Sequence, residues 1–73
     1  MEDKALLEKV GNRIKEIRES KNITQQELAA RCDYEKSNMS RIESGNTNPT
    51  LLTLYKICTS LDISLEELMS GVE

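Results

Sequence analysis

Hydrophobic positions recur along this chain at the three- and four-residue spacing of amphipathic helices, and the polar stretches between them carry signals that start and stop helices. Leu7, Val10, Ile14 and Ile17 form a first stripe, which predicts a helix from near Asp3 to about Lys21 with Gly11 as a modest defect inside it. Thr24 and Glu27 have the spacing of a capping box, and Ile23 stands just ahead of the cap, where it can staple against Leu28. Leu28, Ala29 and Cys32 make the stripe of that second helix, which Asp33 stops by favouring a turn. A third helix follows over about residues 35–44, with Tyr34, Met39 and Ile42 inward and Gly45 suited to the cap beyond its end. After a loop of turn formers, Asn46 to Thr50, a fourth helix carries Leu51, Leu54, Ile57, Cys58 and Leu61 as its stripe, with Leu52 and Tyr55 to one side. Ser64 and Glu67 form a second capping box, opening a short last helix with Leu65, Leu68 and Met69 that Gly71 ends. The reading is an all-α chain of five short helices.

The third helix has an unusual outer face. A solvated helix surface commonly pairs Glu with Lys, whereas Lys36, Ser37, Asn38, Ser40 and Arg41 offer donors and dual donor/acceptors that can address base edges and phosphates.

Composition fits the pattern. A chain of 73 residues is expected to form one domain with a thin margin of stability, so association with a second copy is plausible from size alone. Tyr34 and Tyr55 are the only aromatic residues, which leaves the core to aliphatic side chains. The net charge of −3 argues at first against a polyanionic partner. The excess is local, however: residues 1–50 balance, whereas residues 51–73 set Lys56 against Asp62, Glu66, Glu67 and Glu73. A bipolar molecule results, with its negative end away from the third helix.

Other chemistry finds little support. With no His and two Cys, a structural zinc site is disfavoured, and Cys32 and Cys58 occupy apolar positions that suit buried thiols. No run is long enough for a signal h-region or a membrane span, which points to a cytoplasmic protein.

The segment Thr24 to Gly45 resembles the helix-turn-helix of the phage repressor and Cro family, on Gln25 at the start of the first helix, Ala29 four residues on, and the ending Ile42-Glu43-Ser44-Gly45. Asn48-Pro49 and the Leu-x-x-Leu pattern after it extend the similarity over about residues 10–70. It departs at Asp33, where the family often has Gly, a change worth roughly 1 kcal/mol of turn strain. The resemblance implies a compact five-helix domain of the lambda-repressor type, with residues 1–73 as a single unit. It further implies a DNA-binding transcriptional regulator acting as a homodimer on a palindromic operator, its reading helices one duplex turn apart. Lys36, Ser37, Asn38 and Arg41 would then face base edges. Gln25, Ser40 and Asn48 would hold phosphates, and Gln26 a phosphate or a base; Asn48 reads equally well as a turn residue ahead of Pro49. Small Ala29 would let the two helices approach. Arg18 would pair with Glu43, two guanidinium bonds fixing the angle between the first helix and the reading helix. Leu52, Tyr55 and Met69 are surplus apolar groups suited to a two-fold contact, the alternative being that they complete the core.

A small regulator of this size is similar to the controller proteins of restriction-modification systems. With nothing after Glu73, no ligand-sensing domain, small-molecule ligand or cofactor is expected. The competing reading is a protein-interaction module, an antitoxin or adaptor that uses the acidic C-terminal helices. An enzyme is disfavoured, because the carboxylates are scattered without a basic or metal-binding complement.

Overall fold

The computed structural model describes residues 2–72, among which there are five helices and no strand: α1 (Asp3–Ser20), α2 (Gln25–Arg31), α3 (Lys36–Ser44), α4 (Leu51–Ser60) and α5 (Leu65–Met69). Glu73, counted above among the C-terminal acids, lies outside them.

Three of the four connections use one four-residue device. Lys21-Asn22-Ile23-Thr24, Cys32-Asp33-Tyr34-Glu35 and Leu61-Asp62-Ile63-Ser64 each join a closing helix to the next. In each the second residue is left-handed, with φ of 58° at Asn22, 62° at Asp33 and 57° at Asp62. The amide after it bonds back across the last turn, Ile23 to Arg18, Tyr34 to Ala29 and Ile63 to Cys58. These bonds satisfy carbonyls that the helix end leaves open, and Asn or Asp tolerates the left-handed backbone better than most side chains. The third residue is apolar and packs on the core; the fourth takes the N-cap position of the next helix, with a side-chain cap bond at Thr24 and Ser64 but none at Glu35. Asp33 is thus one of three equivalent turns rather than an isolated defect. Gly45 closes α3 in the same way, at φ 78°.

Caps set the helix starts. Thr24, Thr50 and Ser64 each accept an amide from the third helical residue. The box at Ser64 is reciprocal, as Glu67 bonds back to the Ser64 amide. At Thr24 it is one-sided, because Glu27 pairs instead with Arg31 at 2.6 Å. Gly71 is not a left-handed cap: α5 stops at Met69, and a Cβ on Gly71 would lie 2.6 Å from Arg13 Nε. Arg13 itself bonds the carbonyls of Glu67 and Leu68, tying α5 to α1.

Ile14, Leu28, Met39, Ile57, Leu61 and Leu68 are the largest fully buried side chains, so every helix contributes to one core. Cys32 and Cys58 are free and buried; burial pushes the Cys58 thiol up, which keeps it protonated. Three positions depart from the apolar pattern, one of them Met69, which is exposed on α5. Leu51, placed in the α4 stripe by its spacing, is 69% exposed, and Tyr34 sits in the turn before α3, half-buried. Gly11 is no defect, because α1 crosses α3 there so closely that a Cβ would meet the Ile42 carbonyl and lie 2.6 Å from that of Glu43.

Candidate nucleic-acid interface

Helix α3 is the element the site is built on. It buries Met39, Ile42 and Glu43 and leaves Lys36, Ser37, Asn38, Ser40 and Arg41 exposed. Its seat is made by α1 and α2, against which it packs most. Gly11 lets α1 approach its backbone, and Ala29 is buried beneath it at 2% exposure.

The angle of that seat is locked by charge. Arg18 Nε donates to Glu43 Oε2 at 2.7 Å and Arg18 Nη2 to Glu43 Oε1 at 3.0 Å, while Nη1 reaches the carbonyl of Ile23 at 2.8 Å. Both side chains are almost fully covered, 9% and 4% exposed. Gln25 Nε2 donates to the same Glu43 Oε1 at 3.0 Å, so α1, α2 and α3 meet on one carboxylate. The bond to Glu43 raises the Arg18 pKa against the opposing effect of burial, with Coulombic attraction from Glu43 and Glu19 adding to it. The guanidinium therefore stays charged at any ordinary pH.

Two clefts border the exposed face of α3. The first, about 470 Å³, is lined by Gln25, Gln26, Lys36 and Ser40, together with Lys15 and Thr24. The second, about 250 Å³, lies between α3 and the loop at 46–50 and brings Asn38 and Arg41 beside Asn48 and Thr47. The residues singled out for bases and phosphates thus line one or other of these clefts, except Ser37, which is exposed but borders neither, and Gln25 has committed one amide hydrogen to Glu43. Lys15 was missed in the sequence, although it lies one residue past Ile14 in the α1 stripe and so flanks the buried face.

Lys4 was also missed. Its ammonium bonds the Gly45 carbonyl at 2.8 Å and Asn46 Oδ1, and Asn46 Nδ2 donates to Ser44 Oγ at 3.0 Å. A cation at the carboxyl end of α3 suits the helix dipole and anchors the start of the loop.

On α4, Leu52 and Tyr55 are 64% and 62% exposed, beside Leu51, and Met69 on α5 is 38% exposed. They do not converge on one hollow. Met69 lines an apolar groove of about 150 Å³ with Leu6, Pro49 and Leu54, whereas Tyr55 borders Arg31 and Asp33. Among the described residues no helix is long and apolar enough to cross a membrane, and no cluster of His, Cys, Asp and Glu could hold a metal ion.

Comparison with known proteins agrees with this geometry. A family model described as Helix-turn-helix matches residues 14–68. The control protein C.MunI of a Mycoplasma species is 39% identical over 64 residues, 86% of each chain. The transcriptional regulator SinR of Bacillus subtilis is 38% identical over 61 residues, which cover 82% of this chain and 55% of SinR. Among solved structures, the restriction-modification controller protein C.AhdI from Aeromonas hydrophila superposes with a TM-score of 0.82 at 35% identity, over 85% of this chain and 94% of that one.

Proposed function

Because the chain belongs to the helix-turn-helix family of DNA-binding transcriptional regulators, we propose that it binds one operator sequence as a homodimer, with α3 in the major groove. The observation that carries this reading is the outer face of α3. It presents Lys36, Ser37, Asn38 and Arg41 to solvent on a helix whose orientation is fixed by a buried ion pair. Arg41 or Lys36 bonds guanine through O6 and N7, and Asn38 pairs with adenine. Gln25, Gln26, Ser40 and Asn48 hold the flanking phosphates, which set register without reading sequence. Two copies joined through Leu52 and Tyr55, with Met69 at the margin, place their reading helices about 34 Å apart, so the operator is a palindrome. On this reading the protein acts in the cytoplasm, its effect set by its amount and its dimerisation rather than by a small ligand.

Selection of random duplexes by the purified protein tests this. A two-fold symmetric site is expected, bound with an affinity that falls on the order of 10³-fold between about 50 and 200 mM salt if about six phosphates are contacted. The double variant Lys36→Ala/Arg41→Ala is expected to lose the preference. The exposed apolar residues of α4 also suit an adaptor that binds another protein; recovery of no preferred sequence at low salt would favour that reading.

A further inference from the structure

The reading helix and the helix that carries Leu52 and Tyr55 are held mainly by different neighbours. Helix α3 packs chiefly on α1 and α2, and α4 on α2 and α5. A side-chain link between the two sides runs through Tyr34, which stands two residues ahead of α3. Its hydroxyl donates to Thr53 Oγ1 at 2.8 Å. Thr53 lies in the first turn of α4, 3.0 Å from the hydroxyl of Thr50, and Thr50 in turn accepts the Thr53 amide at 3.1 Å and ends the loop that follows α3. The Tyr34 ring is packed against the core, and Lys56 Nζ stands 5.9 Å from its centre. Tyr34, Thr50 and Thr53 line the same 250 Å³ cleft as Asn38 and Arg41. The hydroxyl chain therefore spans the gap between the reading surface and the start of α4.

We propose that the Tyr34-Thr53-Thr50 hydroxyl chain is the positioning element that sets which spacing between operator half-sites the protein accepts. The inference rests on the homodimer reading above, in which α4 joins the copies and α3 reads DNA. Any tilt of α3 against α4 is then transmitted to the distance between the two reading helices. The molecule is 20 Å across its shortest axis; over that distance a tilt of roughly 10° moves the reading helix by about one base-pair rise, roughly 3.4 Å. A hydrogen bond from the turn that leads into α3 to the first turn of α4 thus biases the choice between neighbouring spacings. The ring of Tyr34 supplies packing, and only its hydroxyl supplies the tie.

The test uses the full chain and duplexes carrying two copies of the selected half-site at the native spacing and at one and two base pairs either side, with a duplex of one half-site as reference. Affinities are read by fluorescence anisotropy, and helix content and melting by circular dichroism. Tyr34→Phe is expected to bind the native spacing about fivefold more weakly, the range for one neutral hydrogen bond. It is expected to discriminate less against the neighbouring spacings, with half-site affinity unchanged and the melting midpoint lowered by only a few degrees, as the loss of one neutral hydrogen bond requires. Thr53→Val should do the same and Thr53→Ser should keep the wild-type profile. The double variant Tyr34→Phe/Thr53→Val should be no worse than Thr53→Val, because the Tyr34–Thr53 bond is already absent from Thr53→Val. A Tyr34→Phe profile parallel to wild type across all spacings, or an equal loss on the half-site, overturns the proposal. A wild-type protein that binds the half-site as tightly as the symmetric site overturns the homodimer reading itself, a separate result.

Discussion

Replacing Glu43 by Ala removes the acceptor on which three helices converge, and the structure sets the size of the effect. The carboxylate takes three bonds, from Arg18 Nε at 2.7 Å and from Arg18 Nη2 and Gln25 Nε2 at 3.0 Å each. Its loss leaves a guanidinium that is 9% exposed and cannot release its proton. Breaking a buried pair from one side costs about 3–5 kcal/mol, against a total stability of roughly 4–11 kcal/mol for a chain of this length. Thermal melts followed by circular dichroism at neutral pH and one fixed protein concentration should show the midpoint fall by on the order of 20 °C. Glu43→Gln keeps the shape and one acceptor and should fall between. The double variant Arg18→Met/Glu43→Leu should recover most of the loss, since the pair offsets its own desolvation rather than adding much beyond a packed apolar contact. The Arg18 pKa is raised, so the stability it contributes is complete below its ordinary value and lost only as pH rises through the folded one. The effect of Glu43→Ala is therefore flat across neutral pH on the arginine side. A Glu43→Ala protein within about 1 kcal/mol of wild type would refute the role assigned to the pair.

Three further outcomes are expected. Gly11→Ala gains roughly 1 kcal/mol of helix propensity. Its methyl group would however meet the Ile42 carbonyl and lie 2.6 Å from that of Glu43, so urea unfolding should show a net loss of about 2 kcal/mol, and a neutral result would contradict the helix crossing. Ala at Asn22, Asp33 or Asp62 should cost about 1 kcal/mol each and add in the triple variant, as the three left-handed turns are separate; strongly unequal losses would break their equivalence. Leu52→Asp/Tyr55→Asp should sediment as a monomer and lose operator affinity with its melting little changed when both proteins are dilute, whereas an undisturbed dimer would move the contact off α4.

The helices and most of the core were legible because caps and apolar spacing act locally. Val10, Ile14, Ile17, Met39 and Ile57 are buried where periodicity places them. Leu51 failed because it occupies the first turn of α4, where periodicity cannot tell a stripe's end from its solvent edge. Gly11 reads as a flaw until the partner helix is known, since the need for a missing side chain lies in α3. The repeated connector was visible in principle: Asn22-Ile23, Asp33-Tyr34 and Asp62-Ile63 share one pattern, each an Asx residue followed by an apolar one and then a cap. At the candidate interface, the exposed donors of α3 follow from its face. Contacts such as Lys4 with Asn46, Tyr34 with Thr53 and Gln25 with Glu43 depend on how helices far apart in sequence come together.

The claim on which the rest depends is that α3 reads DNA through the major groove, twice, on one side of the duplex. Methylation interference on the selected operator addresses it directly, because methyl groups at guanine N7 and adenine N3 mark the major and the minor groove respectively. Interference by guanine N7 methylation in two patches centred about one helical turn apart is expected, lost at half-site guanines when Arg41 or Lys36 is replaced by Ala. Interference confined to adenine N3, or a single patch with no symmetric twin, would contradict the account.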